Sequence, residues 1–91
     1  MNVFISADIE GTCGITVWPE TERSAPQDYV PFQKQMTREV RAACDGVLAS
    51  DKTAQIFVRD AHDSARNLVV QLPLHTHLLH IHQIHINIVP Y

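Results

Sequence analysis

The first eleven residues, MNVFISADIEG (residues 1–11), decide how the chain is to be read. Val3, Phe4 and Ile5 are consecutive apolar residues, and Ser6 and Ala7 carry the run to Asp8 without a turn signal. A short run apolar on both faces is the pattern of a strand in a parallel sheet covered on both sides. Asp8 then marks the carboxyl end of that strand, and Glu10 comes two residues later. Two acids at the mouth of a buried strand repel one another unless a cation or a proton lies between them.

The residues beyond Pro26 complete a unit around that strand. From Pro26 to about Ser50, Tyr29, Phe32, Met36, Val40, Ala43, Cys44 and Val47 recur at steps of three and four, the signature of one buried helical face. Pro31 is either tolerated near the start of this helix or moves the start to itself. Ala54 to Asp60 (AQIFVRD) reads as a second strand that again ends on an acid. Strand, helix and strand make a parallel crossover unit, so both carboxyl ends emerge on one edge of the sheet. The fold class expected is therefore α/β, with Asp8 and Asp60 on the rim where open α/β sheets bind ligands. His62 lies just past that rim.

Composition excludes several functions. The formal charge is -3 and no Lys/Arg cluster is present, so a row of phosphates has nothing to neutralise it and nucleic acid is not an expected partner. The N-terminus lacks the basic start of a secretory signal and Asp8 interrupts its apolar run, so a cytoplasmic protein with no membrane span is expected. Cys13 and Cys44 fall in different elements and are read as reduced thiols, Cys44 in the core and Cys13 in a glycine-flanked loop. A chain of 91 residues leaves about a third or more of its unfolded surface exposed, so modest stability is expected.

Two stretches do not join the regular pattern. Gly11 to Pro26 shows neither helical nor strand period and is long for a simple connection, which makes it a candidate binding loop. The last eighteen residues, LHTHLLHIHQIHINIVPY, hold five of the six histidines and no charged acid or base. Leu78 and Leu79 could begin a third strand, but the two apolar sets beyond them differ in parity, which predicts a break near Gln83. The histidine tract hints at metal by composition alone. Protonating all six histidines takes the formal charge from -3 to +3, so the order of this tail is expected to vary between about pH 5 and 7.

Asp8, Glu10 and His62 form an oxygen and nitrogen donor set that suits Zn²⁺ or a similar first-row ion, which would also remove the repulsion between the acids. Asp60 or Asp63 could accept the free ring N–H of His62 and so select which nitrogen faces the ion. The plainer alternatives are a solvated turn in which Asp8 caps backbone amides, and a surface histidine. An anion cradle at Gly11 to Gly14 is a weaker reading, because no phosphate-loop or dinucleotide fingerprint is present and the acids repel phosphate. Cys13 has no cation beside it to favour a thiolate, so it is assigned no catalytic role.

MNVFISADIEGTCGI, QMTREVRAACDG and IFVRDAHDSARNL, taken in that order, resemble the N-terminal portion of the D-aminopeptidases of the M55 metallopeptidase family. The shared features are D-x-E-G, an M-T-x-E helix and D-[AS]-H, over about residues 1 to 72, with Leu79 as the outer bound. The resemblance implies a zinc peptidase with two metal ions, in which Asp8 matches the bridging aspartate, Glu10 a ligand of one zinc and His62 a ligand of the other. It further implies short peptides with an N-terminal D-residue as substrates. A homo-oligomer is expected on other grounds, because a chain with two or three strands leaves sheet edges and a helix face exposed. Family members are much longer and draw a further histidine ligand, a further glutamate ligand and a catalytic histidine from segments that have no match here. Residues 1–79 are accordingly read as the N-terminal part of a larger α/β metallopeptidase domain, and 80–91 as a divergent tail, truncated or frame-shifted. Little aminopeptidase activity is then expected from this polypeptide alone. The alternative is a non-catalytic metal-binding α/β fragment that self-associates.

Overall fold

The computed structural model describes residues 1–63, 65–69, 73 and 76–79. Strand β1 (Asn2–Ala7) is succeeded by a single 3-10 turn at Ile9–Gly11 and another at Trp18–Thr21. Helix α1 (Pro26–Ser50), strand β2 (Gln55–Asp60) and strand β3 (Thr76–Leu79) complete the order. Among the described residues the sheet has the order β1-β2-β3 with all strands parallel, β2 lying between β1 and β3. The α/β strand-helix-strand unit read from the sequence is the architecture observed, with a third strand beginning two residues earlier than Leu78. The stretch beyond Leu79, with the expected domain boundary there, the break near Gln83 and the remaining histidines of the tail, lies outside the described residues.

Helix α1 starts at Pro26 rather than Pro31. Pro26 occupies the first turn, where the amide it lacks would have no intrahelical partner, and Pro31 lies inside the helix on its exposed side. Tyr29, Met36, Val40 and Cys44 are buried, with Phe32 and Val47 packed against them. Ala43, expected on the same face, is exposed and lines an open groove instead. Ile56 and Val58 of β2 meet the helix with no exposed surface, and Ile9 joins the same cluster from the turn after β1. Each such side chain contributes roughly 1.5–3 kcal/mol through burial.

Coverage of the sheet differs from the expectation of two covered faces. Along β2 the burial alternates, with Ile56, Val58 and Asp60 buried and Gln55, Phe57 and Arg59 only half-buried. Helix α1 covers one face, and on the other Phe57 stacks on His77 with ring centroids 4.9 Å apart. Among the described residues, no helix is long and apolar enough to cross a membrane.

The long connection after β1 is more ordered than its lack of period suggests. Glu20 turns its carboxylate back to accept the Thr16 amide at 2.7 Å and the Val17 amide at 3.0 Å. Those two amides hold the Glu20 carboxyl below its usual range. The Thr21 hydroxyl donates to the Trp18 carbonyl at 2.8 Å, closing the second 3-10 turn. Gly14, at φ 95°, adopts a left-handed conformation that favours glycine, and a Cβ there would touch the Phe32 ring at 3.5 Å.

Candidate metal centre

Register brings the rim residues together. Ala7 pairs with Asp60, and the Ala61 amide donates to the Ala7 carbonyl at 2.7 Å, extending the β1–β2 ladder one step past the strands. Adjacent strands lie about 4.8 Å apart, so the residues leaving β1 and β2 start within reach of each other. Ile9 is fully buried between two exposed acids, and anchoring it in the core leaves the carboxylates of Asp8 and Glu10 outside. Asp8 makes no side-chain cap on the 3-10 turn that it precedes.

His62 closes the cluster from the other strand. Its Nδ1 lies 2.8 Å from Glu10 Oε1 and 3.1 Å from Asp8 Oδ1. One donor atom from each of Asp8, Glu10 and His62 lies within 4.8 Å of the other two. The imidazole is 12% exposed, whereas Asp8 and Glu10 are 54% and 41% exposed, so solvent reaches the site from the acidic side.

The ring's other nitrogen decides the chemistry. Nε2 is 2.8 Å from the Thr21 carbonyl, which only accepts, so Nε2 carries a proton and donates it there. Nδ1 is then the atom presented to two carboxylates. With a lone pair at Nδ1, three electron-rich atoms face one another, an arrangement relieved by a second proton on the ring or by a cation among them. Burial works to lower the His62 pKa, but the Thr21 carbonyl and the charges of Glu10 and Asp8 outweigh it and raise the pKa above its ordinary value. Hydrogen bonding to Asp8, with burial next in size, pushes the Glu10 carboxyl above the usual carboxylate range. A donor set of two carboxylates and one imidazole of fixed tautomer fits a divalent first-row ion.

Asp60 does not take the place expected of it. It is 1% exposed and its carboxylate is filled by other donors: the Asn67 amide at 2.6 Å, the Leu68 amide at 2.8 Å and Asn67 Nδ2 at 2.9 Å. The acceptor behind the ring is the Thr21 carbonyl, supplied by the turn at Trp18–Thr21, and neither Asp60 nor Asp63 fills that role. Thr21 is not marked in the sequence, because a backbone carbonyl acts whatever the side chain. Asn67 is not marked either, because nothing in a polar loop distinguishes one amide side chain from another. Glu39 of α1 also reaches the rim loop, accepting the Cys13 amide at 3.2 Å and Gln35 Nε2 at 2.8 Å.

A groove of about 420 Å³ opens beside the acids, lined by Asp8 and Glu10, by Ser6 and Ala7 of β1, and by Met36 and Glu39 of α1. A smaller hollow of about 340 Å³ on the other side of Glu10 is walled by Ile15, Val17, Trp18 and Thr21. Trp18 is 71% exposed there.

A parallel α/β sheet with a carboxylate and imidazole cluster at its carboxyl rim defines the class: an α/β protein with a candidate metal centre where such sheets take their ligands. Comparison with known proteins supplies the family. The family model for M55 peptidases, described as D-aminopeptidase, matches residues 1–83, and the chain belongs to that family. The fold is similar to that of the Zn-dependent D-aminopeptidase DppA from Bacillus subtilis, described as a self-compartmentalizing protease, with 25% identity and a TM-score of 0.73. That similarity covers 88% of this chain and 29% of DppA, so the chain spans less than a third of the length of the relative it matches. No curated protein matches the chain.

Proposed function

We propose that Asp8, Glu10 and His62 are metal ligands, and that the chain contributes them to a zinc-dependent aminopeptidase site acting on short peptides with an N-terminal D-residue. The observation that carries this reading is the convergence of three donor atoms within 4.8 Å at the rim of a sheet in a D-aminopeptidase family chain. DppA is described as Zn-dependent, which supports zinc as the ion. Two ions with Asp8 between them is the arrangement that the family resemblance implies. Bound zinc supplies Lewis-acid polarisation of a carbonyl and a water made acidic enough to attack it.

The chain's own residues then have separable tasks. The Thr21 carbonyl keeps the proton on Nε2, so the neutral ring of His62 presents its lone pair to the ion at Nδ1. Asp8 and Glu10 bring negative charge that offsets that of the cation, and their exposure leaves the site open to solvent and substrate. The groove beside them, with apolar Met36 and Val40 on one wall, has room for a short peptide. DppA is described as self-compartmentalizing, which supports homo-oligomeric assembly.

With 29% of DppA's length represented, the polypeptide by itself is proposed to bind metal but to hydrolyse little peptide. Equilibrium dialysis against Zn²⁺, paired with an assay on a D-alanyl dipeptide, tests both parts. The expected outcome is zinc uptake that His62→Ala removes, with negligible turnover. Equal zinc uptake by wild type and by an Asp8→Ala, Glu10→Ala, His62→Ala triple variant would overturn the ligand assignment. Chelator-sensitive hydrolysis at a rate typical of an enzyme would overturn the claim of inactivity.

A further inference from the structure

Behind the rim lies a buried polar network that supplies no donor atom to the cluster of Asp8, Glu10 and His62. Asn67 has no exposed surface, and every polar atom of its side chain is engaged. Its Oδ1 accepts the Tyr29 hydroxyl at 2.7 Å. Its Nδ2 donates to Asp60 Oδ1 at 2.9 Å and to the His62 carbonyl at 2.6 Å. The Asp60 carboxylate and the His62 carbonyl only accept, so they fix the amide's orientation with the NH₂ toward them, and Oδ1 is left to accept the Tyr29 hydroxyl. Asp60 in turn grips the backbone on which Asn67 sits, through the Asn67 and Leu68 amides. The Thr37 hydroxyl oxygen of α1 accepts the Val69 amide at 2.9 Å, a second tie between loop and helix.

The loop thus held is not relaxed. Asp63 and Ala65 have φ of 48° and 60°, in the left-handed region that residues with a Cβ seldom adopt. The Ala65 amide donates to the same His62 carbonyl at 2.9 Å, so that carbonyl receives two hydrogen bonds. Strained backbone persists where surrounding contacts over-determine it, and here those contacts converge on the peptide group of one residue. We infer that Asn67, tied to α1 through Tyr29 and oriented and braced by Asp60, is a positioning residue for His62, a role that rests on the metal reading proposed above. The Thr21 carbonyl holds the ring from outside, and Asn67 holds the backbone from which the ring projects. The helix that covers the sheet thereby sets the position of a residue on the rim.

The test uses the 91-residue chain and two readouts, one independent of metal. In metal-free protein, NMR follows exchange of the His62 Nε2 proton with solvent, which is slow while the ring stays against the Thr21 carbonyl. In the second, Co²⁺ is titrated and its visible absorption reports both affinity and the geometry of the donors. Asn67→Ala is expected to speed the exchange, to weaken Co²⁺ binding by roughly 10–100-fold and to change the absorption bands, as loss of a partner behind a metal ligand does. Cys44→Ala, which thins the core away from the rim, should leave exchange and Co²⁺ spectrum as in wild type. Tyr29→Phe removes one oxygen and should move both readouts in the same direction by less; it decides the question if Asn67→Ala does not fold. Wild-type exchange, affinity and bands in a folded Asn67→Ala or Tyr29→Phe variant would overturn the positioning role. A wild type that takes up no Co²⁺ would instead overturn the metal reading, so the two failures are told apart.

Discussion

The interior face of the sheet and its carboxyl rim are built on opposite terms. Under α1, Ile56, Val58, Cys44 and Ile9 have no exposed surface, and hydrophobic burial holds them together without specific bonds. At the rim, Asp8 and Glu10 are exposed like charges, and His62 reaches them only because a carbonyl from one loop and an amide side chain from another hold it there. The core can therefore be read and altered locally, whereas the rim depends on partners far apart in the chain. Thr21 and His62 are separated by 41 residues, and Tyr29 and Asn67 by 38.

Substitutions can attack this contrast from either side. Ile56→Ala empties a fully buried site, and a loss of about 2–5 kcal/mol in urea unfolding is expected, with zinc affinity of the remaining folded protein unchanged. A large fall in affinity at constant fold would show that core and rim are not separable. His62→Ala should do the reverse: about 1–2 kcal/mol in stability of the metal-free protein, from loss of the hydrogen bond to the Thr21 carbonyl and of the contacts with two exposed acids. Its zinc affinity should fall by more than the roughly 10–100-fold typical of partners behind a ligand. Dialysis and denaturation on the same variant separate the two effects.

A smaller change is expected from Glu20→Ala, because Glu20 organises the loop that presents the Thr21 carbonyl without touching the cluster. Zinc affinity should drop by less than about tenfold, the low end of what outer partners contribute, read by competition with a chromophoric chelator. The least effect belongs to Asp51, at the turn before β2. Its carboxyl is held down to about 2 by the Thr53 side chain, the terminal ammonium and the Thr53 amide. A depressed carboxyl stabilises the fold above its unfolded value of 3.8, and that contribution is lost as pH falls toward about 2. Asp51→Asn should therefore unfold at slightly lower urea than wild type at pH 5, and the gap should close as pH drops below about 4. The residue is at the surface, so added salt should narrow the gap as well.

Legibility in the sequence divides along the same line. Helix α1 is readable from Tyr29 to Val47 because burial repeats at the helical period, and β2 from the run Ile56-Phe57-Val58 that ends on Asp60. Ala43 departs from its expected face because an alanine at the margin of the stripe carries too little surface to say which side it takes. The expected second covered face is absent among the described residues, because Val3, Phe4 and Phe57 are as apolar as a two-sided strand requires while only one helix lies on the sheet here. Asp8, Glu10 and His62 can be selected as candidates because residue type and strand ends are both local signals. The partner of the His62 ring cannot, because a carbonyl leaves no mark in the sequence.

The amino-acid order alone determined the crossover unit and the edge on which its acids emerge, since apolar period and chain direction depend on neighbours within a few residues. Tertiary structure decided the rest. It chose the Thr21 carbonyl over Asp60 as acceptor for the imidazole, turned Asp60 inward to Asn67, and set Nδ1 of His62 within 3.1 Å of both acids. Those choices turn on hydrogen bonds between loops that meet only when the sheet has formed, and no local pattern encodes them.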